Sequence, residues 1–248
     1  MIMERPGDLS GNTLNLPKRK ESKYLIGRET AGELVRFLSG NTSEEQYAVG
    51  NKNLIESVYF EGPQMNCYRA HVNGEKNRFK IRYRTYGMSS SGFLELKTKN
   101  GGVTKKKRCP VAPASKVLDR TNLRDALSEH WLSHNDSTGL DLFGIIEYYN
   151  LHPLLRIRYR RRAFVLPGGE LRFTVDENIK TTLYSPTNWE HVISPDLCVF
   201  EIKEMKFSDT AREVKTTIVE QFDLEKRKFS KYCTSVEVLG LVSKIYLE

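Results

Sequence analysis

At 248 residues, with 39% hydrophobic and 28% charged side chains, the chain has the make-up of a folded protein that buries a sizeable core, which excludes a disordered polymer. No apolar run approaches the roughly 20 residues of a membrane span, and the opening MIMERPGDLSG lacks the apolar stretch of a signal peptide, so a cytoplasmic protein is expected. The formal net charge of +8 points to a polyanionic partner, whether nucleic acid, an acidic membrane or a phosphorylated small molecule. Cys67, Cys109, Cys198 and Cys233 show no CxxC or repeated spacing, so they read as reduced thiols rather than zinc ligands or disulfides.

Residues 1–17, rich in Gly, Asn and Pro, read as a flexible tail, and no linker divides 18–248, which is expected to form one domain. A short extended segment begins at KRKESKYLI. Ala31, Leu34, Val35 and Leu38 then recur at helical spacing, and Gly40 with Asn41 ends that helix. SVYFE, RFKIRYRTY and FLELKTK read as strands, and the turn Asn100-Gly101-Gly102 leads into VTKKKR as a hairpin. Helical periodicity returns in NLRDALSEHWL and DLFGIIEYY. Pro153 precedes the strand LLRIRYRRRAF, PGGE turns into LRFTVDE, and CVFEIKEM is a further strand. Ser208 can cap a helix through Val214, Ile218 and Phe222. Many strands with few helices and no βα alternation predict an α+β antiparallel architecture.

Side chains alternate along a strand, so KIRYRTY sets Lys80, Arg82 and Arg84 on one face and Ile81 and Tyr83 on the other. The same design recurs five times. FLELKTK collects Glu95, Lys97 and Lys99; LRIRYRRR collects Arg156, Arg158, Arg160 and Arg162 opposite Ile157 and Tyr159; LRFTVD collects Arg172, Thr174 and Asp176. FEIK collects Glu201 and Lys203, and ESKY collects Glu21 and Lys23. Any one such face is most simply a solvated one. Repeated with arginine dominant, the faces would repel one another unless an anion sat among them. A closed antiparallel β-barrel with covering helices, basic inside and apolar outside, satisfies both halves of the pattern. A triphosphate, with about four charges at neutral pH, suits a ring of roughly six to eight cations with one or two acidic metal ligands.

RKESKYLI, SVYFE, YRAHVNGEKNRFKIRYRTYG, FLELKTK, YRRRAF, LRFTVDENI, FEIK and FSKY, in this order, resemble the catalytic domain of the vacuolar transporter chaperone (VTC) family of polyphosphate polymerases, one of the triphosphate tunnel metalloenzymes. The resemblance spans about residues 18–235 and implies a basic tunnel that uses ATP to extend an inorganic polyphosphate chain. On the matching motifs it implies catalytic roles for Lys23, Arg82, Arg84, Lys97, Arg160, Arg172, Lys203 and Lys231. It implies a divalent ion, Mn or Mg, on Glu201. Lys80, Glu21, Glu95 and Arg158, on the same charged faces, stand as further substrate-binding positions. Lys231 lies in a segment whose alternation gives no phase.

The ExExK opening of the wider superfamily is incomplete here, because Arg19 occupies the first acidic position and leaves Glu21 and Lys23. This argues against a second metal and against hydrolysis, which needs a positioned water and a base. Transfer to a phosphate oxygen that is already anionic needs only neutralisation and alignment. A tunnel phosphohydrolase and a non-catalytic polyanion binder remain the alternatives. Nucleic acid is not expected, since Tyr83 and Tyr159 oppose the basic faces on which bases would have to stack. His130 and His134 are four apart without a third ligand, KKKR reads as a solvated arm whose Arg108 could reach the tunnel mouth, and NGGVT lacks P-loop spacing. Trp131 and Trp189 read as packing residues and Asp176 beside Arg172 as an ion pair. Oligomeric state and a membrane partner that receives the product are left open by the sequence.

Overall fold

The computed structural model describes residues 20–45, 53–87, 89, 91–111, 123, 125, 127, 138–184 and 191–242, with backbone alone for 191 and 192. The expected tail, the His130/His134 pair, Trp131, Trp189 and most of NLRDALSEHWL lie outside these residues. In chain order the elements are β1 (Lys20–Ile26), α1 (Arg28–Asn41), β2 (Ser43–Glu44), β3 (Leu54–Glu61), α2 (Asn66–Val72), β4 (Arg78–Tyr86) and β5 (Gly92–Asn100). They continue with β6 (Val103–Val111), α3 (Thr138–Tyr148), β7 (His152–Val165), β8 (Leu171–Leu183), β9 (His191–Val192), β10 (Cys198–Glu204), α4 (Asp209–Gln221) and α5 (Lys231–Val238).

The strands form one antiparallel α+β sheet in the order β1-β10-β8-β7-β3-β4-β5-β6, with β2 added to β7 and β9 to β8. The sheet curls into a half-barrel, bringing Lys97 of β5 close enough to act on the Glu21 carboxylate of β1 across the concave side. Among the described residues the hydrogen bonds do not close the sheet into the barrel expected from the sequence. Among the described residues no ladder joins β1 to β6, because the free edge of β1 is taken by the chain entering α5. There Arg227 N donates to Lys23 O at 2.8 Å and Tyr24 bridges to Lys226.

The tight turns follow their residues. Gly101 (φ 53) and Gly102 (φ 97) connect β5 to β6 in the left-handed geometry of a two-residue hairpin. At Gly92 a Cβ would lie 2.5 Å from Arg84 O and 2.7 Å from the Tyr83 ring, so β4 and β5 approach at a distance only glycine permits.

Two apolar layers cover the convex side. Leu34, Val35 and Leu38 of α1, with Ala211 and Ile218 of α4, pack on Tyr24, Ile26, Phe164, Phe173, Val175, Phe200 and Ile202. Ile81, Tyr83, Leu94, Leu96 and Cys109 pack beneath Leu142 and Ile146 of α3 and beneath Leu123 and Leu127. Each fully buried Leu, Ile or Phe here is worth about 1.5–3 kcal/mol of transfer free energy, which makes these layers the main support of the curled sheet. Ser208 caps α4 as expected, its Oγ accepting from Ala211 N at 3.0 Å.

A third cluster lies on the concave side. Ile55, Tyr59, Leu155, Ile157, Tyr159, Ile179 and Val199 meet Met65 at the start of α2, Tyr68 within it, and Tyr232, Cys233 and Val236 of α5. Neither α2 nor α5 was evident from the sequence, and together they plug one part of the concavity. Glu61 fastens the plug: its buried carboxylate accepts from the N–H groups of Gly62, Cys67 and Tyr68 at 3.0 Å and from the Tyr232 hydroxyl. Among the described residues no helix is long and apolar enough to cross a membrane.

Candidate functional site

Cross-strand partners share a face, so the ladders fix which side chains converge. Arg82 of β4 pairs with Tyr59 of β3 and Glu95 of β5, and Glu95 in turn with Arg108 of β6. Lys80 pairs with Lys97 and Lys97 with Lys106. On the other limb Lys23 pairs with Glu201 and Glu201 with Thr174, while Glu21 pairs with Lys203 and Lys203 with Arg172. Lys23, Lys80, Arg82, Arg84, Lys97, Arg172, Lys203, Glu21, Glu95 and Glu201 therefore all occupy the concave face, the one on which their alternation placed them.

Arg158 and Arg160 do not. Tyr59 and Ser57 face inward, and their partners on β7 are Leu155 and Ile157, so the odd-numbered residues of β7 line the concavity. Arg156 and Arg158 lie on the convex side, where both bridge to Glu56, at 3.4 and 2.8 Å; Arg160 is exposed there, and Arg162 grips Glu44 at 2.7 Å. The inward arginine of YRRRAF is Arg161. Phe164 supplies the reason, since it pairs with Phe173 under α1 and holds the even-numbered residues outward.

Asp176, fully buried, takes Arg161 Nε and Nη2 at 2.5 and 2.6 Å and Lys231 Nζ at 2.6 Å. Its ion pair is thus with Arg161 and Lys231 rather than Arg172, which instead bridges to Glu45 at 2.6 Å. Lys231, unphased in the sequence, sits at the first residue of α5 behind the Ser230 cap, and its ammonium also lies 5.0 Å from the Tyr159 ring. Burial works to raise the Asp176 carboxyl, but Arg161 and Lys231 outweigh it and bring its pKa down to about 2.

The RxR arginines are each held by two anchors. Arg82 donates to Glu95 Oε2 from Nε at 2.9 Å and to the Tyr59 hydroxyl at 3.1 Å. Arg84, 7% exposed, donates to Ser57 Oγ at 3.0 Å and to the Tyr159 hydroxyl at 3.1 Å. Glu95 is also reached by Lys106 at 2.6 Å and Arg108 at 2.7 Å. Burial would raise the Glu95 carboxyl; Arg82, Arg84 and Lys106 hold it far below the carboxylate range. Lys80 Nζ donates to Ser230 Oγ at 3.1 Å, and Lys203 lies 3.4 Å from Glu201.

The field in the concavity is positive. Burial, then Lys80, Arg78, Lys23 and Lys97, push the His71 imidazole down to about 4. Burial opposes ionisation of the Tyr59 phenol, yet Arg82, Arg84 and Lys80 bring it down to about 8. The Glu21 carboxyl is raised by burial but drawn well below its usual range by a hydrogen bond with Glu201 and by Lys23, Lys97 and Lys203. Arrayed cations with partly exposed ammonium groups can bind a chain of phosphates.

Sequence reasoning missed Tyr59, Ser57, Tyr159, Arg161 and Lys106. For β7 a signal existed: the Ala163-Phe164 pair, matched to Phe173 across the hairpin, carries the phase into YRRR. For the tyrosines there was none, because period-two alternation treats a phenol as apolar. Tyr59 stacks on Tyr232 at 5.0 Å, and Tyr159 lies under Lys231 and Arg161.

A search of the curated proteins found no match. Among solved structures, a Bacillus halodurans protein described as a candidate adenylate cyclase aligns with a TM-score of 0.51 at 14% identity, over 85% of this chain and 92% of that one. A second candidate adenylate cyclase, from Vibrio parahaemolyticus, aligns at 0.43 and 14% identity over 86% and 94% of the two chains. The first likeness is one of fold. A family model for the VTC domain matches residues 18–240, and with it the ordered motifs from the β1 lysine to the α5 lysine have their explanation: this chain belongs to the VTC domain family.

Proposed function

We propose that the chain is a polyphosphate polymerase, transferring the γ-phosphoryl group of ATP to the end of an inorganic polyphosphate chain and releasing ADP. The observation that carries this reading is the convergence of lysines and arginines from β1, β4, β5, β6, β7, β8, β10 and the start of α5 on one concave face, with buried carboxylates between them. Family membership supports it.

Lys80, Arg82, Arg84, Arg161, Arg172, Lys203 and Lys231 bind phosphate oxygens, and Lys23 and Lys97 approach from opposite limbs of the curl. Glu95 and Asp176 serve as counter-charges that keep the arginines aimed while no ligand is bound. The acceptor's terminal oxygen is already an anion, so the attack needs no base; the O–P bond to the acceptor forms as the bond to ADP breaks, in line. The cations oppose the repulsion between the two phosphate groups, and this is where they lower the barrier.

A divalent ion fits the donor set in one way. Glu21 and Glu201 are neighbouring acidic side chains on adjacent strands, and among the described residues no cluster of three or more acidic, His or Cys side chains exists to cage a metal. Mg or Mn is bound through one or two carboxylates together with substrate phosphates, so Glu201 with Glu21 would hold it only together with the triphosphate. Bound there, it supplies Lewis-acid polarisation of the phosphoryl oxygens.

Purified protein incubated with ATP and Mn, with products separated by size, tests the reading. Long phosphate chains with stoichiometric ADP are expected. Free phosphate without chains would instead establish a tunnel phosphohydrolase, and chain synthesis that survives both Glu201→Gln and Arg82→Ala would remove the concavity from the chemistry.

A further inference from the structure

We propose that Tyr59 is a ligand-binding residue of this concavity, one that accepts a hydrogen bond from Arg82 and gives its own phenolic proton to a phosphate oxygen of the bound polyanion. The inference rests on the polyphosphate reading and adds to it a neutral donor among the cations.

The geometry sets the role. Tyr59 is 8% exposed on the concave face of β3, with its ring stacked on Tyr232 of α5 at 5.0 Å, which fixes the ring plane and hence the direction of the hydroxyl. Its oxygen accepts from Arg82 Nη1 at 3.1 Å. A phenol has one proton to give as well as lone pairs to offer. The charged groups acting on it are Arg82, Arg84 and Lys80 of β4 and, from β1, Lys23, and none of these can accept a proton. From β7 and α5 the facing polar groups are Tyr159 and Tyr232, whose hydroxyls are engaged with Arg84 and Glu61. Among the described residues nothing takes the Tyr59 proton, and the chemistry able to do so is an anion drawn in by the same four cations.

The consequence is a coupling between ligand and proton. Against burial, the cations bring the phenol down to about 8, and a polyanion among them reverses that field and returns the pKa upward. Binding should then take up a proton when the solution is above about pH 8, and affinity should fall as pH rises through that value. Lys106 also titrates at about 8, lowered by burial against the pull of Glu95, so its contribution must be separated.

The test is a tyrosinate absorbance titration of the full chain with and without inorganic tripolyphosphate, together with calorimetric binding of tripolyphosphate. One tyrosine ionising near pH 8 is expected in the free protein, absent in Tyr59→Phe and moved up by about one unit or more by tripolyphosphate. Tyr59→Phe should weaken binding at pH 7 roughly tenfold, the worth of a hydrogen bond to a charged group, and flatten the alkaline fall, whereas Lys106→Arg should retain the tyrosine signal. If tripolyphosphate binds the wild-type protein but leaves the tyrosine titration unmoved, the Tyr59 assignment is overturned while the polyphosphate reading stands. If tripolyphosphate does not bind at pH 7, the polyphosphate reading falls and takes this inference with it.

Discussion

KIRYRTY of β4 and LRIRYRRR of β7 are almost the same text, arginine alternating with isoleucine and tyrosine, yet the fold turns them in opposite senses. In β4 the arginines enter the concavity and Ile81 and Tyr83 lie in the apolar layer under α3. In β7 Ile157 and Tyr159 enter, and Arg156 and Arg158 stay on the convex side with Glu56. The difference teaches that alternation specifies two faces without saying which is inside. What lies above each strand decides: α3 covers β4 with hydrocarbon, while beside β7 the plug of α2 and α5 demands apolar partners on the concave side.

The strongest way to break this comparison is to remove one inward and one outward arginine from the same strand. Arg161→Ala leaves Asp176 buried with Lys231 as its remaining ion-pair partner and should cost about 3–5 kcal/mol in denaturant unfolding. Arg160→Ala, a side chain exposed on the convex side, should stay within about 0.5 kcal/mol. Equal costs for the two would show the assigned faces of β7 to be wrong.

Binding offers the next contrast. Arg82→Ala should weaken tripolyphosphate by about 2–3 kcal/mol, roughly 30- to 150-fold in calorimetry, whereas Arg158→Ala should change it less than about twofold. A matched loss in Arg158→Ala would mean the anion rides the convex side.

Acid stability probes the inward carboxylate. Asp176 has its pKa depressed from 3.8 to about 2, so its contribution is present above about pH 4 and is lost as pH falls through about 2. A shift of this size is worth about 2–3 kcal/mol. Asp176→Asn should therefore flatten that acid limb in urea melts collected at successive pH values, and an unchanged limb would place the titration elsewhere.

The smallest effect is expected at the arginine anchors. Tyr159→Phe removes the hydroxyl that receives Arg84 and should cost about 1 kcal/mol of stability, because Ser57 still holds the same guanidinium. The double variant with Ser57→Ala should lose more than the sum of the two, since the pair shares one partner.

Much of the site was legible. Which charged side chains share a face of β1, β4, β5, β8 and β10 follows from alternation, and α1 and the Ser208 cap of α4 follow from helical spacing and capping chemistry. Two things were not. In YRRRAF three consecutive arginines carry charge on both faces, so the arginines themselves do not distinguish Arg160 from Arg161, and the phase comes only from Phe164 matched to Phe173 across the hairpin. The SKY lysine belongs to a helix of eight residues, too short for periodicity to declare itself, and its place over Asp176 comes from the Glu61 to Tyr232 tie 171 residues apart in sequence.

The β8 strand shows why local rules stop there. Asn178, with φ 50, sits in a bulge opposite Tyr159 that shifts the register, so Arg172, Thr174 and Asp176 face inward before it and Ile179 and Thr181 after it. One extra residue converts the lining from ionic to apolar. An alternating sequence is continuous across that point, and only the partner strand reveals the change.

By itself, then, the sequence determined that strands of alternating charge would build an antiparallel sheet with a basic face, because side-chain direction along a strand is a local property. The tertiary structure decided that the sheet is a half-barrel whose first edge is taken by the approach to α5, that Arg161 rather than Arg160 points inward, and that tyrosines stand among the cations. These depend on register, on a bulge and on which helix covers which face, all of them contacts between residues far apart in the chain.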